Sequence, residues 1–155
     1  MKNKGEILAN ILKDLGNCYF FLHNTKEKVI VGKIMNEGFV FENQLPHCTD
    51  RVNPNEPIEI TYFLFQRKDY GSFTIVIAIP KPTYDLYTRY SNEHDTGIEE
   101  VITITEPYFG DNDELIYTIS PKHILGYFNN KTADFVWNEV WDPEFIVPLL
   151  ESWEE

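Results

Sequence analysis

The sequence predicts an α+β fold: a single domain over residues 1–155, with N-terminal helices followed by a twisted, mostly antiparallel sheet. Three observations predict it. Two stretches before residue 40 carry apolar residues at helical spacing, whereas the second half is broken into short runs rich in β-branched and aromatic residues. The 155 residues are 43% hydrophobic and 15% aromatic, enough for one sizeable core and inconsistent with disorder. No internal repeat divides the chain.

Taken in order, Glu6 to Leu15 places Ile7, Leu8, Ile11, Leu12 and Leu15 on one stripe, a helix closed by Gly16-Asn17. Cys18 to Leu22 is a short aromatic run and reads as a buried strand, with His23 where that strand ends. Thr25 is placed to cap a helix over Lys26 to Asn36, whose buried face would be Val29, Ile30, Ile34 and Met35, and Gly38 to terminate it with positive φ. Phe39 to Glu42 is a short strand. Asn43 to Pro57 is turn-rich and reads as a loop, the kind of segment that walls a pocket.

Ile58 to Tyr70 alternates like a strand but is bracketed by Pro57 and Gly71, and we read it as a helix. Phe73 to Ile79 is a central strand stopped by Pro80. Thr83 to Tyr90 is a short helix. Val101 to Thr105 and Leu115 to Ile119 are strands flanking an acidic turn, and Ile124 to Phe128 pairs with Ala133 to Trp137 across Asn129–Thr132. The apolar tail residues Trp141, Phe145, Leu149, Leu150 and Trp153 pack back on the core.

The formal charge is −12. Phosphate-backbone binding is driven by basic faces, so this balance disfavours nucleic acid and suits either a solvated surface or a basic partner. No apolar run is long enough to span a membrane, and the start M-K-N-K-G-E-I-L lacks a secretory core, so a soluble, cytoplasmic protein is expected. Cys18 and Cys48 form no ligand pattern, and the four histidines show no H-E-x-x-H spacing; no structural zinc is expected.

The candidate chemistry begins at His23, a ring at a strand end beside the N–H groups that open a helix. It has two readings: a partly buried histidine bonded to backbone, or the wall of a ligand site. His23-Asn24-Thr25, His47-Cys48-Thr49 and His94-Asp95-Thr96 each have the form H-x-T. Paired motifs of this form characterise two-histidine phosphodiesterases, where each sits in a strand, and this is a minor alternative. A second constellation is Asp113-Glu114 ahead of L-I-Y-T-I, then S-P-K-H-I-L-G-Y, in which His123 reads as a turn residue.

Taken together with F-L-H-N-T, K-I-M-N-E-G-F and L-P-H-C-T-D-R-V, this order of motifs resembles the ADP-ribosyltransferase fold family, in its histidine–tyrosine–glutamate branch of diphtheria-toxin-like and poly(ADP-ribose)-polymerase-like proteins. The resemblance spans Tyr19 to Phe128. It implies that His23 holds the ribose of NAD and the backbone at Asn24 the nicotinamide amide, with Thr25 completing that motif. Thr49 would take the serine/threonine position of the second motif and Tyr70 would stack on nicotinamide, with Tyr62 as the other candidate. Glu114 would be catalytic, accepting a ribose hydroxyl and stabilising positive charge on the sugar, with Glu106 competing for the role. Asn24 stands where the family has glycine, and the second motif is not Ser-Thr-Ser. The implied activity is mono-ADP-ribosylation with NAD as substrate, as a toxin or defence effector. A protein or small-molecule acceptor is favoured over free nucleic acid, and a neutralising protein partner would suit a toxin. The contrasting expectation is a non-enzymatic acidic binding protein, an immunity or anti-defence factor.

Overall fold

The computed structural model describes residues 3–42, 50–95, 101, 108–113 and 115–148. It is α+β: a five-stranded, wholly antiparallel sheet in the order β3-β1-β4-β7-β8, and a three-stranded antiparallel sheet in the order β2-β6-β5. The strands are β1 (Cys18–Thr25), β2 (Phe39–Glu42), β3 (Asp50–Val52), β4 (Phe73–Pro80), β5 (Tyr108–Phe109), β6 (Leu115–Ile119), β7 (Ile124–Asn129) and β8 (Asp134–Trp137). The described α-helices are α1 (Lys4–Lys13), α2 (Lys28–Glu37), α3 (Pro57–Gln66) and α4 (Lys81–His94). The helices are interleaved with the first strands rather than gathered ahead of the sheet.

The alternation along β4 explains the layering. Val76 and Ala78 face one side with Phe20, Leu22, Leu125 and Phe128, where α1 and α3 supply Leu8, Leu12, Ile60 and Phe63. Ile75, Ile77 and Ile79 face the other, against Val31 and Ile34 of α2, Leu86 and Tyr87 of α4, and Phe39 and Ile119 of the second sheet. Both faces are covered, so β4 is buried almost end to end, as its nearly continuous apolar sequence, interrupted by Thr74, requires. The tail returns as expected where it is described: Trp141 Nε1 donates to the Ala78 carbonyl at 3.0 Å and Val147 is fully buried.

Four local expectations change. Thr25 ends β1, and the residue capping α2 is Glu27, with no side-chain hydrogen bond; the predicted Thr25 cap is absent. The buried face of α2 is Val31 and Ile34, leaving Val29 exposed and Ile30 partly so. Asp50–Val52, read as loop, pairs with β1 through the register Phe20↔Val52 to Leu22↔Asp50. Val101 is helical and buried, while the rest of the expected strand to Thr105 lies outside the described residues.

Candidate functional site

β1 alternates buried and half-buried residues along its whole length. The buried set, Phe20 and Leu22, points at α1 and α3. The half-buried set includes Phe21 and His23 and faces the second sheet and α4. Phe21 lies 5.9 Å from the Tyr84 ring, and the His23 imidazole stands edge-on to Phe39 at 5.2 Å and 89°. His23 is therefore an interior strand residue, not the residue after the strand. It lies between the two sheets because the period-2 alternation set by Phe21 carries on through it.

Asn24 is buried on the opposite face, and its side chain is fully engaged. Its Nδ2 donates to the carbonyls of Arg67 at 3.1 Å and Gly71 at 3.3 Å, and its Oδ1 accepts from the Thr74 hydroxyl at 2.7 Å. Asn130 Nδ2 in turn donates to Thr74 Oγ1 at 2.8 Å. A buried amide is retained when its groups find partners, and here they are backbone carbonyls of the turn that carries Tyr70. That 3-10 turn, Lys68–Tyr70, is followed by Gly71 at φ 137, whose backbone presses on the Thr25 carbonyl so closely that a Cβ would collide with it. The network pins Tyr70 to the end of β1 that carries His23, Asn24 and Thr25, with 61% of Tyr70 open to solvent.

The structure thus brings His23, Asn24, Thr25 and the Tyr70 turn to one end of one strand. Tyr62 is instead exposed on α3. Glu114, Glu106 and Thr49 lie outside the described residues, as do His47 and Thr96. The strand after Glu114, β6, is described: its last residue, Ile119, pairs with Phe39, the residue touching His23. Four residue steps, about 13 Å of strand, separate Ile119 from Leu115. His94 closes α4, stacked on Tyr90 at 3.9 Å, rather than standing in a strand or loop.

The chemistry available at this end of β1 follows from these partners. The Asn24 amide is committed to the turn and to Thr74, so it offers no spare polar group to a small molecule. The described part of β3 ends opposite Leu22, so the described ladder on that edge stops before His23.

His123, expected as a turn residue, does close a 3-10 turn, Pro121–His123, but its burial was not expected. His123 is fully buried, its Nε2 2.8 Å from the Tyr87 hydroxyl, which also accepts from the Val147 N–H at 3.2 Å. We assign the hydroxyl as donor to Nε2 and the ring proton to Nδ1, because the reverse would leave the hydroxyl proton unpaired as well; Nδ1 has no partner among the described residues. Burial pushes the His123 pKa down to about 4, with Asp142 opposing, and raises that of Tyr87. The signal available in sequence was the apolar I-L following P-K-H; its tyrosine partner lies on α4.

Comparisons with family models, curated proteins and solved structures return no match.

Proposed function

We propose that this chain is a mono-ADP-ribosyltransferase that cleaves NAD and passes ADP-ribose to a protein or small-molecule acceptor. The observation that carries the reading is the grouping at one end of β1: a half-buried His23 between two antiparallel sheets, and the Tyr70 turn tethered through Asn24 to the same end of the strand on its opposite face. His23 and the main chain of Asn24 and Thr25 hold the nicotinamide ribose and its amide, and the exposed Tyr70 ring supplies a stacking face. Glu114, ahead of β6, supplies the carboxylate. The bond between ribose C1′ and the nicotinamide nitrogen breaks with its electron pair leaving on nicotinamide, and the acceptor's nucleophile takes its place at C1′ as it loses its proton. A carboxylate fixed near that carbon favours the transition state over the ground state, because positive charge develops only there. A cytoplasmic toxin or defence effector held in check by a neutralising protein fits this activity.

The test is nicotinamide release from NAD, followed chromatographically for wild type, His23→Ala and Glu114→Gln. Release by wild type, and its loss in Glu114→Gln at nearly unchanged melting temperature, supports the assignment. Full release by Glu114→Gln removes that residue from it, and no release by wild type with any supplied acceptor removes the activity.

One observation favours the second reading, an acidic binding protein. On α3, Ile58, Tyr62 and Phe65 form an exposed row, 78%, 61% and 65% accessible, on a chain of charge −12. That reading predicts no affinity for nicotinamide and a salt-sensitive complex with a basic partner.

A further inference from the structure

We propose that a cavity at the N-terminal end of β1 binds a small phosphate-bearing anion. The cavity has a volume of about 350 Å³, within the range of small-ligand sites, and its walls include Lys13, Tyr19, Arg51, Asn53, Glu59 and Lys81. These residues come from separate elements: Lys13 ends α1, Tyr19 is in β1, Arg51 is in β3 and Lys81 opens α4. Three of the chain's 13 Lys and Arg residues therefore converge on one hollow of a protein whose net charge is −12.

The convergence is organised around one ring. The Arg51 guanidinium lies 3.8 Å from the Tyr19 ring centroid, and Lys81 Nζ lies 5.5 Å from the same centroid. Tyr84 packs edge-on against Tyr19 at 5.0 Å and holds the ring in place. Cation–π attraction holds the Arg51 guanidinium over the ring, and its five N–H donors are more than that contact uses. Two like charges gathered on one ring repel each other, and among the described residues no carboxylate forms an ion pair with Lys13, Arg51 or Lys81. An anion between them removes that repulsion.

One acidic group, Glu59, also stands on the wall; its neighbour Glu56 has its carboxyl pKa raised, first because the protonated form donates a hydrogen bond to Glu59 and then by the Glu59 charge. The nearby thiol of Cys18 is kept protonated by burial, although Lys81 pulls the other way, so it adds no negative charge. Three cations set around a hollow match the several oxygens of a phosphate ester or pyrophosphate better than a single carboxylate, which Arg51 alone would satisfy. The overall acidity repels a long polyanion, so the occupant is a small molecule and not a nucleic acid.

This site is separate from the one proposed around His23. Five residue steps of extended chain, about 17 Å, separate Cys18 from His23 along β1. The experiment is calorimetric titration at low salt with inorganic pyrophosphate and with AMP, using wild type, Arg51→Gln, Lys81→Gln, His23→Ala and, as a remote control, Lys28→Gln. Arg51, Lys81 and Lys28 are exposed, so replacing them leaves the fold intact, and melting temperatures check this for them and for the half-buried His23. Both probes should bind wild type, His23→Ala and Lys28→Gln equally. Arg51→Gln and Lys81→Gln should each bind about tenfold more weakly, the usual cost of a lost charge-assisted hydrogen bond. No binding to wild type, binding unaltered by Arg51→Gln and Lys81→Gln, or equal affinity for citrate would overturn the proposal. Loss of binding in His23→Ala alone would do the same, by assigning the probes to the other end of the strand.

Discussion

Lowering the pH should destabilise the fold through His123. The ring is fully buried, accepts the Tyr87 hydroxyl at Nε2 and has no partner at Nδ1 among the described residues. A second proton would put an imidazolium in an apolar pocket edged by Tyr87 and Phe145, with Asp142 offsetting the cost only in part. Its pKa falls from 6.5 to about 4 on folding. Because the folded value is depressed, the stability is fully present above the unfolded pKa. It is lost as the pH falls from about 6.5 towards 4, where the unfolded chain binds a proton that the native chain refuses. The whole window is worth about 3 kcal/mol, and the part between pH 7 and pH 5, before most carboxylates titrate, about 2 kcal/mol. Urea denaturation of wild type and His123→Gln at pH 7, 6 and 5 isolates this contribution, since every other titrating group is shared. The variant is less stable at pH 7, and the gap should narrow by about 2 kcal/mol at pH 5. Parallel pH dependences would refute the argument that burial keeps this ring neutral.

Three further substitutions test the packing that positions the candidate site. Asn24→Ala strands the carbonyls of Arg67 and Gly71 and the Thr74 hydroxyl, and should cost about 2–4 kcal/mol in chemical denaturation while weakening nicotinamide binding through the Tyr70 turn. Gly71→Ala forces a side chain into φ 137 and against the Thr25 carbonyl, and should cost at least about 2 kcal/mol; a loss below about 0.5 kcal/mol would contradict the described turn. Tyr87→Phe leaves His123 Nε2 and the Val147 N–H unpaired, costing about 2–3 kcal/mol, and hydrogen exchange at Val147 should accelerate.

What the sequence made legible follows from locality. The run Phe73–Ile79 is apolar at every position but Thr74 because both faces of β4 are covered, and the β7–β8 hairpin announces itself by two apolar runs around N-N-K-T. Gly38 at φ 86 ends α2 as its position predicted. The misreadings share a cause. His23 and Asn24 looked like the end of a strand because polar residues usually mark one, yet Asn24 continues β1 by bonding to groups 43 to 50 residues away. The three-residue β3 has no strand-like pattern of its own and exists through backbone pairing with β1. The buried face of α2 rotated from Val29 and Ile30 to Val31 because the neighbouring sheet, not the helix, decides which stripe is covered. Of the candidate site, the family resemblance singled out His23, Asn24, Thr25 and Tyr70 one by one, whereas the Tyr87–His123 pair and the cations around Tyr19 are tertiary juxtapositions without a local motif.

The most direct measurement of the proposed function is a two-dimensional amide NMR titration with nicotinamide, which carries no phosphate and so cannot report on the cation-lined cavity. The account predicts saturable shifts confined to His23–Thr25, Phe39 and Tyr70–Gly71. Absence of shifts at saturating nicotinamide, or shifts confined to residues at the Cys18 end of β1, would contradict it.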